Sequence, residues 1–127
     1  MKRVVKADNA PKAIGPYSAA IKTDEFVFTS GQLGIDPKTG ELVSGGIEPE
    51  THQALINLME VLKAAGSDLS LVVKTTVFLK DINEFQRMNS IYAEYFQAEP
   101  PARSAFQVAA LPKNASVEIE AIALKNT

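Results

Sequence analysis

The chain contains no cysteine and a single histidine among its 127 residues. The first absence excludes disulfides, thiolate nucleophiles and cysteine-ligated metals. The second leaves no readable His–Asp partner set for a serine nucleophile. The lone His52 falls near the start of a helix and reads as a solvated surface residue. No apolar run approaches the ~20 residues of a membrane-spanning helix, and the opening MKRVVKADNA lacks the apolar centre of a signal peptide. Acidic and basic residues number 15 and 13, with no block of either sign, so nothing points to a nucleic-acid or acidic-membrane partner. The remainder, 46% hydrophobic and 22% charged, is an ordinary globular balance. It suits one domain over residues 1–127 and a cytoplasmic location.

Local signals divide the chain into elements. Arg3 to Lys6 reads as a short strand, and Ala7 to Pro16 as a loop. Ser18 to Thr23 and Phe26 to Ser30 form a hairpin joined near Asp24. Pro37-Lys-Thr-Gly40 is a turn. Pro49 suits an early helical position. Ala54, Leu55, Leu58, Val61, Leu62 and Ala65 follow at helical spacing, and Gly66 supplies the stop. Leu71 to Leu79 is a β-branched strand. Asp81, with Glu84 as capping-box partner, opens a second helix striped by Phe85, Met88, Tyr92 and Tyr95. The order describes an α+β domain with a mixed sheet. Strict alternation in Leu71–Leu79 points Val73, Val77 and Leu79 one way and Val72 and Phe78 the other. A strand apolar on both sides needs cover on both; two helices supply one layer, and another copy of the chain the other.

The segment from Pro100 to Glu120, PPARSAFQVAALPKNASVEIE, carries the chemistry. Two prolines end the second helix and fix the entry of the chain into a strand. Phe106 and Val108 alternate on the first run, and Val117, Ile119 and Ala121 on the second. Paired as a hairpin with these apolar sets on one face, the runs place Arg103, Ala105 and Gln107 on the other face with Glu118 and Glu120. An arginine fork beside a carboxylate can hold a small anion and position water. Taken alone, such a pair is more often a cross-strand ion pair worth little.

The stretch P-A-R-S-A-F…L-P-K-N-A-S-V-E-I resembles the C-terminal motif of the RidA (YjgF) family of enamine/imine deaminases. Ala10-Pro-Lys-Ala-Ile-Gly-Pro-Tyr17-Ser resembles that family's N-terminal loop, and Thr29-Ser30-Gly31-Gln32 its second block. The helix from Thr51 to Gly66 and the strand Val73 to Asp81 are similar as well, so the resemblance runs the length of the chain. It implies a chorismate-mutase-like mixed sheet with two helices on one face, assembled as a homotrimer with sites between subunits.

The resemblance further implies hydrolysis of 2-aminoacrylate- and 2-iminobutyrate-type acids to 2-keto acids and ammonia, without a cofactor or metal. Arg103 would bind the substrate carboxylate, Glu118 would orient or activate water, and Tyr17 would hydrogen-bond substrate or pass a proton. Ser30, Gly31, Ala105 and Asn89 would shape the pocket. A glutamate beside Arg103 would stay ionised and be a weak base. Ala105 stands where many members have cysteine and Gln107 where many have glutamate, which bears on substrate preference more than on reaction type. Two rival functions are a non-catalytic metabolite-binding trimer and an endoribonuclease; the charge balance and single histidine argue against the second.

Overall fold

The computed structural model describes residues 1–126. Seven strands and two helices follow one another as β1 (Arg3–Val5), β2 (Ala20–Lys22), β3 (Phe26–Thr29), β4 (Gln32–Leu33), α1 (Ile47–Ala64), β5 (Val72–Leu79), α2 (Phe85–Tyr95), β6 (Ala102–Gln107) and β7 (Val117–Leu124). The strands make one mixed sheet in the order β1-β2-β3-β7-β5-β6, with β4 also on β7. Only β5 and β6 run parallel; the other pairings are antiparallel.

Both helices lie on one face. Leu55, Leu58, Val61 and Leu62 of α1 and Met88 of α2 pack with Val27, Val77, Leu79, Val117 and Ile119 of the sheet, all of them fully buried. α1 has no side-chain cap at its start, and Glu48 and Glu50 in its first turn complement the helix dipole instead. Its end is a Schellman turn: the Ser67 N–H donates to the Leu62 carbonyl and the Gly66 N–H to Lys63. Gly66 takes the left-handed conformation (φ +80°) this requires. The Gly stop read from sequence is thus in place.

The opposite face is uncovered within the chain. Val4, Phe28, Phe106 and Leu124 are exposed on it, with Phe78 half-buried and set edge-on to Phe106 at 5.5 Å.

Four expectations need correction. β6 and β7 are not hairpin partners, because β5 lies between them. β5 and β7 are eight-residue strands with one fully packed face, and they take the centre of the sheet. The proline-led β6 takes the edge, where a residue lacking an N–H costs no ladder bond. The link from β6 to β7 bends through a turn at Pro112–Asn114, with Lys113 and Asn114 left-handed (φ +57° each).

Strict alternation also fails at the start of β5. A bulge between Val72 and Lys74 puts Val72 opposite Ala123 in the core and leaves Val73 40% exposed. One extra residue reverses the parity of everything before it. Finally, His52 is not a solvated residue. It is half-buried, its Nδ1 is 2.9 Å from the Tyr95 hydroxyl, and it ties α1 to α2. Nor does Asp81 cap α2: it accepts from the Asn83 N–H and so caps the short 3-10 turn Ile82–Glu84 that leads into the helix, and the Glu84 side chain bonds Arg87 instead of closing a capping box.

Candidate active site

The register decides where the chemistry sits. Arg103 is level with Thr75, and Thr75 with Ala121, on the helix-covered face. Glu118 is level with Phe78, on the uncovered face. Within one chain the sheet therefore separates the arginine from the glutamate, contrary to the shared face expected from sequence. Arg103, Ala105 and Gln107 do share a face, but it is the other one from Glu118 and Glu120. Two groups of side chains result.

The first gathers around Arg103. Its Nη1 donates to Asn89 Oδ1 on α2 at 2.8 Å. The guanidinium carbon lies 4.7 Å from the Tyr92 ring centroid and 5.3 Å from that of Phe85. Ala105, two residues on, shares this face and packs half-buried against the core. Among the described residues no carboxylate pairs with Arg103. A guanidinium with aromatic faces and no counter-ion is a ready acceptor for a planar anion. Gln107 plays a separate part, its Oε1 accepting from the Ile82 N–H at 2.9 Å.

The second group surrounds Glu118. A cavity of about 470 Å³ is bounded by Lys12, Ile14 and Tyr17 of the N-terminal loop, Gly31 to Leu33, Pro112, Lys113 and Glu118. The Glu118 carboxyl lies over the Gly31 backbone: a Cβ on Gly31 would stand 2.7 Å from its Cδ. Glycine here leaves room for the carboxylate in this position. Burial, and then the neighbouring Glu120, push the Glu118 pKa above the usual carboxylate range. Within one chain no guanidinium lies beside Glu118 among the described residues, so the neighbour expected to hold it ionised is not supplied by its own copy. A carboxylate so placed is a better base than a solvated one.

Tyr17 lines this cavity half-exposed, its hydroxyl at long range (3.5 Å) from the Ile14 N–H. Ser30 is adjacent in sequence but turned away. Its hydroxyl donates to the Ser18 carbonyl at 2.6 Å and its N–H to Ala19, which fastens the loop instead of offering a donor. So the structure unites Arg103, Asn89 and Ala105, and separately Tyr17, Gly31 and Glu118. Phe85 and Tyr92 were missed as site residues because they read as core stripe. Their spacing with Asn89, at i, i+4 and i+7 on one helix face, was the available signal.

Comparison with known proteins follows the same pattern. The family described as Endoribonuclease L-PSP matches residues 7–125. The chain is 54% identical over 125 residues to a human protein named 2-iminobutanoate/2-iminopropanoate deaminase, covering 98% of this chain and 91% of that one. The crystal structure of RidA from the Antarctic bacterium Psychrobacter superposes with a TM-score of 0.92 at 42% identity, covering 96% of this chain and 98% of that one. That of Escherichia coli TdcF with bound serine superposes with a TM-score of 0.93 at 38% identity, covering 98% and 99%.

Proposed function

The chain belongs to the Endoribonuclease L-PSP family, the RidA/YjgF family, and on that premise we propose that it hydrolyses reactive 2-imino and enamine acids to 2-keto acids and ammonia. The single observation that carries this reading is Arg103, a guanidinium ordered by Asn89 and two rings yet without a carboxylate partner among the described residues. It is built to receive a small anion. The relatives named for 2-iminobutanoate and 2-iminopropanoate, and the serine-bound TdcF, fit a substrate of 2-amino-acid size.

In the proposed reaction Arg103 fixes the carboxylate. Glu118 accepts a proton from water as the water oxygen bonds the imine carbon, and the C=N π-pair moves to nitrogen. The protonated Glu118 returns that proton to the nitrogen, directly or relayed through the Tyr17 hydroxyl, giving a carbinolamine. Glu118 then takes the carbinolamine O–H proton and passes it to the amine, so that the C–N bond breaks, ammonia leaves and the C=O bond forms. An enamine enters after protonation at its β-carbon. The imine is already electrophilic, so orientation and proton management suffice, and the scheme calls for no cofactor.

The scheme also requires the two groups to meet. We infer that they do so between copies of this chain, in a homotrimer that buries the apolar sheet face bearing Phe28, Phe106 and Leu124. Each copy is one RidA-like domain over residues 1–127 and acts in the cytoplasm. No helix among the described residues is long and apolar enough to cross a membrane.

The test couples the protein to a threonine dehydratase and follows keto-acid release from the transient imine. Faster release with wild type and not with Arg103→Ala is the expected result. No acceleration by wild type that still binds 2-ketobutyrate would favour a non-catalytic metabolite-binding trimer, and RNA cleavage without imine turnover the endoribonuclease reading.

A further inference from the structure

We propose that Phe85 and Tyr92 form an aromatic clamp on the Arg103 guanidinium, which makes them positioning residues for the carboxylate anchor. The inference rests on the assignment of Arg103 made above and adds what holds it in shape. Phe85, Asn89 and Tyr92 project from successive turns of α2 towards β6. Two rings at i and i+7 are separated by about 10.5 Å along a helix axis. The guanidinium carbon stands 5.3 Å and 4.7 Å from the Phe85 and Tyr92 centroids and so touches both rings. Asn89, in the intervening turn, takes one Nη1 hydrogen at 2.8 Å.

This division of labour suits a guanidinium. Its flat faces attract ring quadrupoles, whereas its N–H donors lie in the plane and point outward. Rings set against the cation therefore hold it without taking up its N–H donors, of which Asn89 uses one at Nη1 and the rest stay available to a carboxylate.

The clamp is itself anchored. The Tyr92 hydroxyl is 2.7 Å from Thr75 Oγ1, a fully buried pair linking α2 to β5. The Tyr92 ring also packs against Phe96, centroid to centroid 4.7 Å. Thr75 is level with Arg103 across the parallel β5–β6 ladder, so one row of the sheet sets both cation and ring. Arginine on an edge strand would otherwise sample many rotamers, and selecting one before substrate arrives lowers the ordering cost of binding.

The experiment uses the full chain and measures 2-ketobutyrate affinity together with kcat and KM in the coupled assay. Tyr92→Leu and Phe85→Leu keep apolar bulk and remove the ring face; Tyr92→Phe keeps the face. Each leucine variant is expected to raise KM and Kd about ten-fold, with a smaller change in kcat, and Tyr92→Phe to stay within about three-fold of wild type. In an Arg103→Ala background Tyr92→Leu is expected to cost nothing further, because the cation it positions is gone. An equal loss in both backgrounds would overturn the clamp in favour of a core role for Tyr92. Unchanged KM in Phe85→Leu, at a half-buried site that serves if Tyr92→Leu does not fold, would overturn it equally. Unchanged affinity in Arg103→Ala alone would instead sink the anchor assignment beneath it.

Discussion

Arg103 and Glu118 occupy opposite faces of one sheet, and their surroundings prepare them for different work. Arg103 is held by Asn89, Phe85 and Tyr92 from a single helix and has no carboxylate partner among the described residues. Glu118 has no hydrogen-bond or ion-pair partner among the described residues, lies over a glycine, and has its pKa raised by burial and by Glu120. One group is ordered by contacts; the other is made reactive by their absence. A protein that joined the two as an ion pair within one chain would quench both, since the arginine would lose its vacancy and the glutamate its basicity. Separation by the sheet preserves them until a ligand or a second copy brings them into one site.

The sharpest break of this contrast is kinetic. Arg103→Ala removes charge-assisted hydrogen bonds worth about 1.5–3 kcal/mol, so kcat/KM should fall by ~100-fold with a marked rise in KM. Glu118→Gln should lower kcat by a similar factor while leaving 2-ketobutyrate affinity nearly intact. Steady-state kinetics of the two variants check this; the same signature in both would erase the distinction.

Next in size is the seat of the carboxylate. Gly31→Ala should swing the flexible Glu118 side chain aside and lower kcat, with a stability loss by chemical denaturation below the about 1–3 kcal/mol of core overpacking.

A smaller effect concerns stability against pH. A carboxyl whose folded pKa is raised favours the folded state below its unfolded pKa, and that contribution is lost as pH rises through the folded value. Glu118→Gln should therefore raise Tm at neutral pH, and the gain should vanish as pH falls below the ordinary carboxylate range. Thermal melts across that window measure it. The smallest effect is expected from Glu120→Gln. Removing the like charge should lower the Glu118 pKa and move the acidic limb of the kcat/KM profile to lower pH.

Much of this architecture was legible in the chain. The β2–β3 hairpin, both helices, the Gly66 stop and the central strand follow from period and turn chemistry, which are local properties. Strand neighbours are not local. Nothing in the alternation of β6 and β7 announces that β5 will enter between them, and the expected shared face was lost with that hairpin. The bulge at Val73 hid for the same reason: one inserted residue leaves composition unchanged and flips parity. The structure sorts the named candidates into two groups, yet Ser30 spends its hydroxyl on Ser18, and the rings beside Arg103 read as core stripe because only their spacing with Asn89 sets them apart.

The central claim is that the two halves act together only across copies of the chain, and mixing tests it most directly. Arg103→Ala and Glu118→Gln chains, each expected to be ~100-fold impaired alone, would be unfolded together, refolded at equal amounts and assayed for imine hydrolysis. In a closed assembly of mixed copies about a quarter of the sites would receive an intact arginine and an intact glutamate, and about that fraction of wild-type activity should return. Activity no higher than that of either variant alone, in a mixture shown to contain mixed oligomers, would contradict the account.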